Sequence, residues 1–203
     1  EIERKGSYIM PAFDLRGIRI GTYKNTDGAI TYTDHTSMGD AMNVNLELKY
    51  AEGRLYAESK LAEYMKLATG GTISVGVKYI PDAAQKILFG ASEKSRTPGS
   101  GGTAVKGLQF TTKDIGKYVG LACYAPDQID GTTKYTCLFV SKVLFGPPAM
   151  VYQTKGDSIT FQTPTTTGEF LADDSTTQAL IETAAVATEA EAIAWTKLVL
   201  GET

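Results

Sequence analysis

The pattern of apolar and polar positions predicts a chain built of short strands. Residues 72–79 alternate strictly, with Ile73, Val75 and Val77 on one side, which is typical of a strand with one buried face. Gly, Asp and Asn turns separate the other extended segments, and this spacing favours a β-sandwich or barrel. The other predicted strands cover residues 17–23, 29–33, 43–50, 54–58, 104–110, 118–123, 151–153, 158–163 and 166–171.

The segment 135–145 is apolar on both sides. Cys137, Phe139 and Val143 share one side by simple alternation, and Val140 lies on the other. We expect such a strand to be covered on both faces, either within the fold or by a neighbouring subunit.

Two helices complete the predicted fold. Pro81 begins a short helix at about 81–90 and Gly90 ends it. A C-terminal helix follows Thr188, because Thr188 and Glu191 match a capping box, and it packs on a sheet face or on a neighbouring subunit. Residues 175–178 could cap a further helical stretch. The predicted fold class is therefore mainly β, sandwich-like or barrel-like, with two helices.

The 203 residues are long enough for one core, and we predict a single domain over 1–203. A long loop is expected at about 36–70, where strand signals are weak. A flexible loop is expected at about 92–103, which is rich in Gly and Ser. We expect no membrane span and no export signal, although the start at Glu1 leaves a removed segment open.

Composition leaves little material for catalysis. The chain has 26 Thr and 21 Gly but one His and two Cys. His35 lies in a polar segment and is expected to be an exposed loop residue. A dinucleotide-type spacing at Gly99, Gly101 and Ala104 lacks the strand before it and the helix after it. We therefore expect no enzyme, no cofactor and no metal, while hydrolysis by two carboxylates stays open in principle.

The two cysteines lie on either side of a turn near Asp130. A hairpin closing there would place Cys123 and Cys137 almost opposite each other. A disulfide is conceivable, but both residues lie in apolar runs without an export signal. Two buried thiols are therefore the preferred interpretation.

Charge is unevenly distributed along the chain. The net charge of −3 argues against a general nucleic-acid binder. Residues 84–118 carry a local charge of +4, and residues 168–203 carry −6. These segments are either complementary docking surfaces or ordinary solvated faces, and the sequence does not decide between them.

A resemblance to a known family rests on several stretches in order. The run YQTKGDSITFQTPTTTGEF at residues 152–170 resembles the signature stretch of bacteriophage major tail proteins, the tail tube subunits of long-tailed phages and prophages. LYAESK, GGTISVGV, PDAAQKILFG, GKYVGLA and AIAWTK are each similar to family segments, so the resemblance spans about 17–200. The stretches around 95–102 and 175–187 depart from the family pattern.

The resemblance implies a structural subunit of a virion tail. Subunits of this family form hexameric rings, whose inner strands join into one barrel and which stack into a tube. The implied partners are further copies of the chain, a terminator and a distal tail protein, with DNA passing through the lumen unbound. Assembly would occur in the bacterial host cytoplasm, without a membrane.

Specific residues follow from this implied role. Asp157 and Glu169 are candidates to face the lumen, since both lie in the signature stretch. The loop at 36–70 would reach an adjacent subunit or the next ring. Its candidate contact residues are Leu46, Leu55, Tyr56 and Tyr64. The alternative is a carbohydrate- or receptor-binding β-sandwich module of a virion.

Overall fold

The computed structural model describes residues 14–57, 60–99, 101–129, 132–150, 154 and 162–202. Within these ranges the chain forms ten strands and two helices. In chain order they are β1 Arg16–Thr26, β2 Ala29–Ser37, β3 Ala41–Ala57, β4 Lys60–Val77, α1 Asp82–Phe89, β5 Ser92–Arg96, β6 Val105–Gln109, β7 Val119–Ile129, β8 Thr132–Phe145, β9 Thr165–Leu171, β10 Ile181–Val186 and α2 Glu189–Val199. The predicted mainly-β class with a C-terminal helix is confirmed.

Eight strands form one antiparallel sheet: seven follow the order β2-β1-β7-β8-β9-β4-β3, and β10 pairs with β8 outside this order. β8 is the central strand and pairs with β7 along one edge. Its other edge is divided, because β10 pairs with residues 135–140 and β9 with residues 142–145. β5 and β6 form a separate two-stranded sheet.

The main core lies between the inward faces of this sheet and α1. β1, β4, β7, β8 and β9 all contribute buried residues, including Ile20, Val75, Leu121 and Phe170. Ala84, Ile87, Leu88 and Phe89 bury the apolar side of α1 against them. The helix ends as predicted at Gly90, whose left-handed φ of 72° is a conformation that glycine adopts readily.

A bulge in β8 changes which of its residues face the core. Leu121 pairs with Val140, but Val119 pairs with Val143, so two residues of β8 lie opposite Gly120. Val140 and Val143 consequently both face the core, and the alternation expected from the sequence is wrong at this point. The expected cover on both faces is confirmed, and the chain itself provides it: the core on one side and α2 on the other.

α2 packs on the outer face of β7 and β8. Its capping box is present, since the Thr188 hydroxyl accepts from the backbone of Glu191 and the Glu191 carboxylate accepts from the backbone of Thr188. Ala192, Trp195 and Leu200 pack on that outer face of the sheet. Neither helix of the described part reaches the length and apolar character of a membrane span.

Several sequence expectations are corrected by the strand pattern. The strands predicted at 43–50 and 54–58 fall within β3 as far as Ala57, but the long loop expected over 36–70 is wrong, because these residues form most of the β3–β4 hairpin. Residues 92–96 form β5 instead of a flexible segment. The described side chains of residues 48–69 and those of β5 are exposed on two faces, which removes the alternation that reveals a half-buried strand. Ala-rich β10 was not predicted, and residues 175–178 form a turn instead of a helix. The predicted strand at 151–153 and most of that at 158–163 lie outside the described residues, and residues 162–163 are not strand.

Candidate assembly surface

The outer part of the β3–β4 hairpin projects beyond the core. We call residues 48–69 the arm. A register shift near its base, between Lys49 and Tyr50, sets it off from the rest of the ladder, and a second shift between Leu55 and Tyr56 lies near its tip. Every arm residue whose side chain is described is exposed. At a rise of about 3.3 Å per residue, the arm is roughly 30 Å long.

One side of the arm is apolar, and we call it the apolar face. Residues directly opposite each other in an antiparallel pair point to the same side, and Ala51 pairs with Leu67 and Gly53 with Met65. Leu55 continues this side toward the tip, opposite Glu63. Leu55, Met65 and Leu67 are 57%, 63% and 59% exposed.

The other side carries charged and aromatic residues, and we call it the charged face. The Lys66 ammonium lies 4.2 Å from the ring centre of Tyr50 and 3.4 Å from the Glu52 carboxylate. The Arg54 guanidinium lies 3.5 Å from Glu52 and 5.6 Å from the ring centre of Tyr64. Exposed pairs of this kind contribute little individually, but here they form a continuous row that orders the side chains of this face.

The four residues predicted for inter-subunit contact occupy different places. Leu46 lies in β3 before the arm and packs partly buried against the main core. Leu55, Tyr56 and Tyr64 lie near the end of the arm and are exposed. Leu55 belongs to the apolar face and Tyr64 to the charged face. The contributions of Met65 and Leu67 were missed, although their spacing of two would have placed them on one side of a strand.

Glu169 lies on the polar outer side of β9, β4 and β3. It pairs with Thr72, and the Lys49 ammonium donates to its carboxylate over 2.7 Å. That hydrogen bond holds the pKa of Glu169 below its ordinary value. The same side carries exposed or half-exposed polar residues on all three strands: Asn43, Asn45, Glu47, Thr72, Ser74, Thr165 and Thr167. Asp157 lies outside the described residues.

Much of the acidic C-terminal third is neutralised within the chain. Glu189 pairs with Arg16 at 2.9 Å, and Asp174 pairs with Lys142 at 2.8 Å. Glu202 accepts from the guanidinium of Arg19. This segment is therefore not the bare negative surface that the local charge of −6 suggested.

His35 is part of a strand and not of an exposed loop. It lies half-buried in β2, and its Nε2 is 2.7 Å from the carbonyl oxygen of Leu200. The contact ties the end of α2 to the sheet. Among the described residues, no group of three or more His, Cys, Asp or Glu side chains is placed to hold a metal ion.

The cysteines are free and buried, as preferred from the sequence. Cys123 pairs with Leu138, while Cys137 pairs with Tyr124. Adjacent residues of a strand point to opposite faces, so the two thiols lie on opposite sides of the sheet. Cys123 belongs to the main core and Cys137 to the cluster under α2, which excludes the conceivable disulfide.

Comparison with known proteins does not assign this chain to a family, since no family model and no curated protein matches it.

Proposed function

We propose that this chain is a structural subunit of a bacteriophage tail tube, which self-assembles into stacked hexameric rings with a lumen that conducts DNA. Further copies of the chain are its main partners, and a terminator and a distal tail protein are its partners at the tube ends. The proposal places it in the virion tail after assembly in the host cytoplasm. It rests on the resemblance carried by residues 152–170 together with the exposed arm.

The arm is the observation that carries the proposal. A two-stranded hairpin is at best marginally stable in water without a partner for its apolar side. Leu55, Met65 and Leu67 together expose a continuous apolar strip on one side of this hairpin. Large exposed apolar patches on soluble proteins mark interaction surfaces. A neighbouring copy that covers this strip accounts for both the projection and the composition of the arm.

The polar outer side of β9, β4 and β3 supports the lumen role. It carries Thr, Ser and Asn, and its acid Glu169 is paired with Lys49. Such a side offers no row of free cations to which phosphates could adhere, so DNA would slide past it. In the proposed ring this side lines the lumen.

Negative-stain electron microscopy of the purified full chain tests the proposal. We expect rings or tubes with a central channel, at a concentration high enough for assembly. A persistent monomer that binds immobilised glycans would contradict it and favour the receptor-binding alternative. Analytical ultracentrifugation of the same sample distinguishes a monomer from ring-sized particles that stain poorly.

A further inference from the structure

The β5–β6 hairpin is a second projecting element, separate from the main sheet. Among the described residues its two strands pair only with each other, from Ser92 with Gln109 to Arg96 with Val105. α1 anchors it, because Phe89 contacts Phe110 with ring centres 6.4 Å apart. The Lys86 ammonium also donates to the Glu93 carboxylate over 3.0 Å. The hairpin thus has a defined position but two exposed sides.

A shallow groove of about 680 Å³ runs along this hairpin. Lys94, Arg96 and Lys106 line it, and no carboxylate is found among its described lining residues. The remaining lining residues are neutral: Thr97, Pro98, Val105, Gly107, Leu108 and Gln109. Lys94 and Arg96 lie on one side of the hairpin, whereas Lys106, which pairs with Ser95, lies on the other side with Glu93. Two neighbouring cations on one side of the hairpin attract anions.

Two of these cations have no partner in the described part of the chain. Glu93, the acid of the hairpin, is held by the Lys106 ammonium at 2.8 Å and by Lys86. Those two hydrogen bonds lower the pKa of Glu93 to about 2, so it stays ionised and paired near neutral pH. Neither Lys94 nor Arg96 forms an ion pair with any other described residue.

The spacing of Lys94 and Arg96 suits an extended polymer that carries negative charges at regular intervals. Lys94 and Arg96 are two positions apart on one strand, so they share a side and lie about 6.7 Å apart along it. Lys94 lies opposite Gly107, and the described residues leave the space above that glycine open. A polymer can therefore approach the backbone beside Lys94. The groove is open along its length, which suits a polymer better than a small enclosed ligand.

We propose that this groove binds a phosphodiester polymer through Lys94 and Arg96. Arg and Lys bind phosphate oxygens by charge-assisted hydrogen bonds. The C-terminal acids of a second copy are poorer candidates, because Arg16, Arg19 and Lys142 already neutralise three of them. The inference does not rest on the tail-tube role. The negative total charge does not oppose it, because the groove is a local surface.

Fluorescence anisotropy with two labelled probes tests the inference: a single-stranded thymidine oligonucleotide and a poly(glycerol phosphate). The test variant is Lys94→Gln with Arg96→Gln, and the control is Lys24→Gln with Lys113→Gln, which removes the same charge from exposed positions outside the groove. At low salt we expect the test variant to lose about tenfold or more in affinity. The control should stay within about twofold of the unmodified chain.

Salt dependence adds a second readout. Two lost phosphate contacts reduce the slope of log affinity against log salt by about 1.4 for a single-stranded probe. Binding of the oligonucleotide alone identifies nucleic acid as the source of the phosphodiester. Binding of the glycerol phosphate polymer alone identifies a polymer of the cell-wall type. Either result, or binding of both probes, supports the site. Equal losses in test and control variants, no binding of either probe, or equal binding of poly-glutamate overturn it.

Discussion

The Lys66 ammonium lies 4.2 Å from the ring centre of Tyr50, on the side of the arm opposite to Leu67. The contact divides the arm into two functional sides. The charged face satisfies its own groups within the hairpin, while the apolar face is left without cover. The contacts of the charged face favour the paired arm before a partner arrives, which reduces the entropy lost on docking, and cover of the apolar face completes the stability of the arm.

Acidic substitutions on the apolar face are expected to block assembly without unfolding the chain. In the variant Met65→Glu with Leu67→Glu, two charges replace exposed side chains that contact no core. We expect the free energy of unfolding to change by less than about 0.5 kcal/mol. Rings or tubes should disappear in negative-stain images. Leu198→Glu on α2, which also alters a highly exposed leucine, is the control and should assemble normally.

Removing the arm is expected to separate folding from assembly. Lys49 pairs with Gly70, so replacing residues 50–69 by Asn-Gly closes the hairpin with a two-residue turn in the same register. The core residues of β3 and β4 are retained. We expect a folded, soluble monomer by circular dichroism and ultracentrifugation. Tubes of normal length from this variant would contradict the proposed role of the arm in joining subunits.

Both thiols are expected to be unreactive in the folded chain. Burial raises the pKa of the Cys123 thiol to about 12 and that of Cys137 to about 11. At pH 8 the thiolate fraction is then below about one in a thousand. Ellman's reagent should label neither cysteine natively and both in guanidinium. Formation of an intramolecular disulfide in the folded chain under mild oxidation would contradict the opposite orientations of the two residues.

Acid is expected to loosen the β5–β6 hairpin. The pKa of Glu93 is lowered from 4.5 to about 2 by Lys106 and Lys86, so its ion pairs stabilise the folded hairpin fully above pH 4.5 and are lost as the pH falls toward 2. Hydrogen-exchange protection of residues 92–96, corrected for intrinsic rates, should fall across that window. Glu93→Gln should remove the pH-dependent step, whereas Glu63→Gln on the arm should leave it. An unchanged profile in Glu93→Gln would disprove the assignment.

Two glycines of the β3–β4 hairpin are expected to differ in how substitution by alanine changes the stability of the fold. A Cβ at Gly71 would collide with the carbonyl oxygen of Glu47 and the ring of Phe170. Gly71→Ala should therefore lower the free energy of unfolding by about 1–3 kcal/mol. Gly53 lies on the arm, where the described residues leave open space for a Cβ. Gly53→Ala should therefore leave the free energy of unfolding unchanged or raise it slightly. Urea unfolding of both variants measures the difference.

The sequence predicted best where one face of an element is buried. The alternation around Val75, the stop at Gly90 and the capping box at Thr188 each correspond to a local rule that the fold obeys. The second strand of the arm, β5 and β10 were missed or taken for loops because exposure on both sides, or small side chains, removes the period of two. The bulge opposite Gly120 depends on strand pairing across the fold, which no local pattern contains.

The candidate surface was located only coarsely for the same reason. Residues 36–70 were expected to reach a neighbour, but the two sides of the arm become visible only once Ala51 is paired with Leu67. The neutralisation of the C-terminal acids likewise joins residues from opposite ends of the chain, such as Arg19 and Glu202. Local charge counts cannot show such pairs.

The register of the sheet also determines the order in which a growing chain becomes folded. β3 and β4 are consecutive, so the arm forms soon after it leaves the ribosome. Ile20 pairs with Leu121, and Val75 pairs with Thr166. In each pair the second residue is synthesised much later than the first. Such high contact order slows completion of the core. The apolar face proposed to join subunits is thus synthesised before the core of its own subunit can be completed.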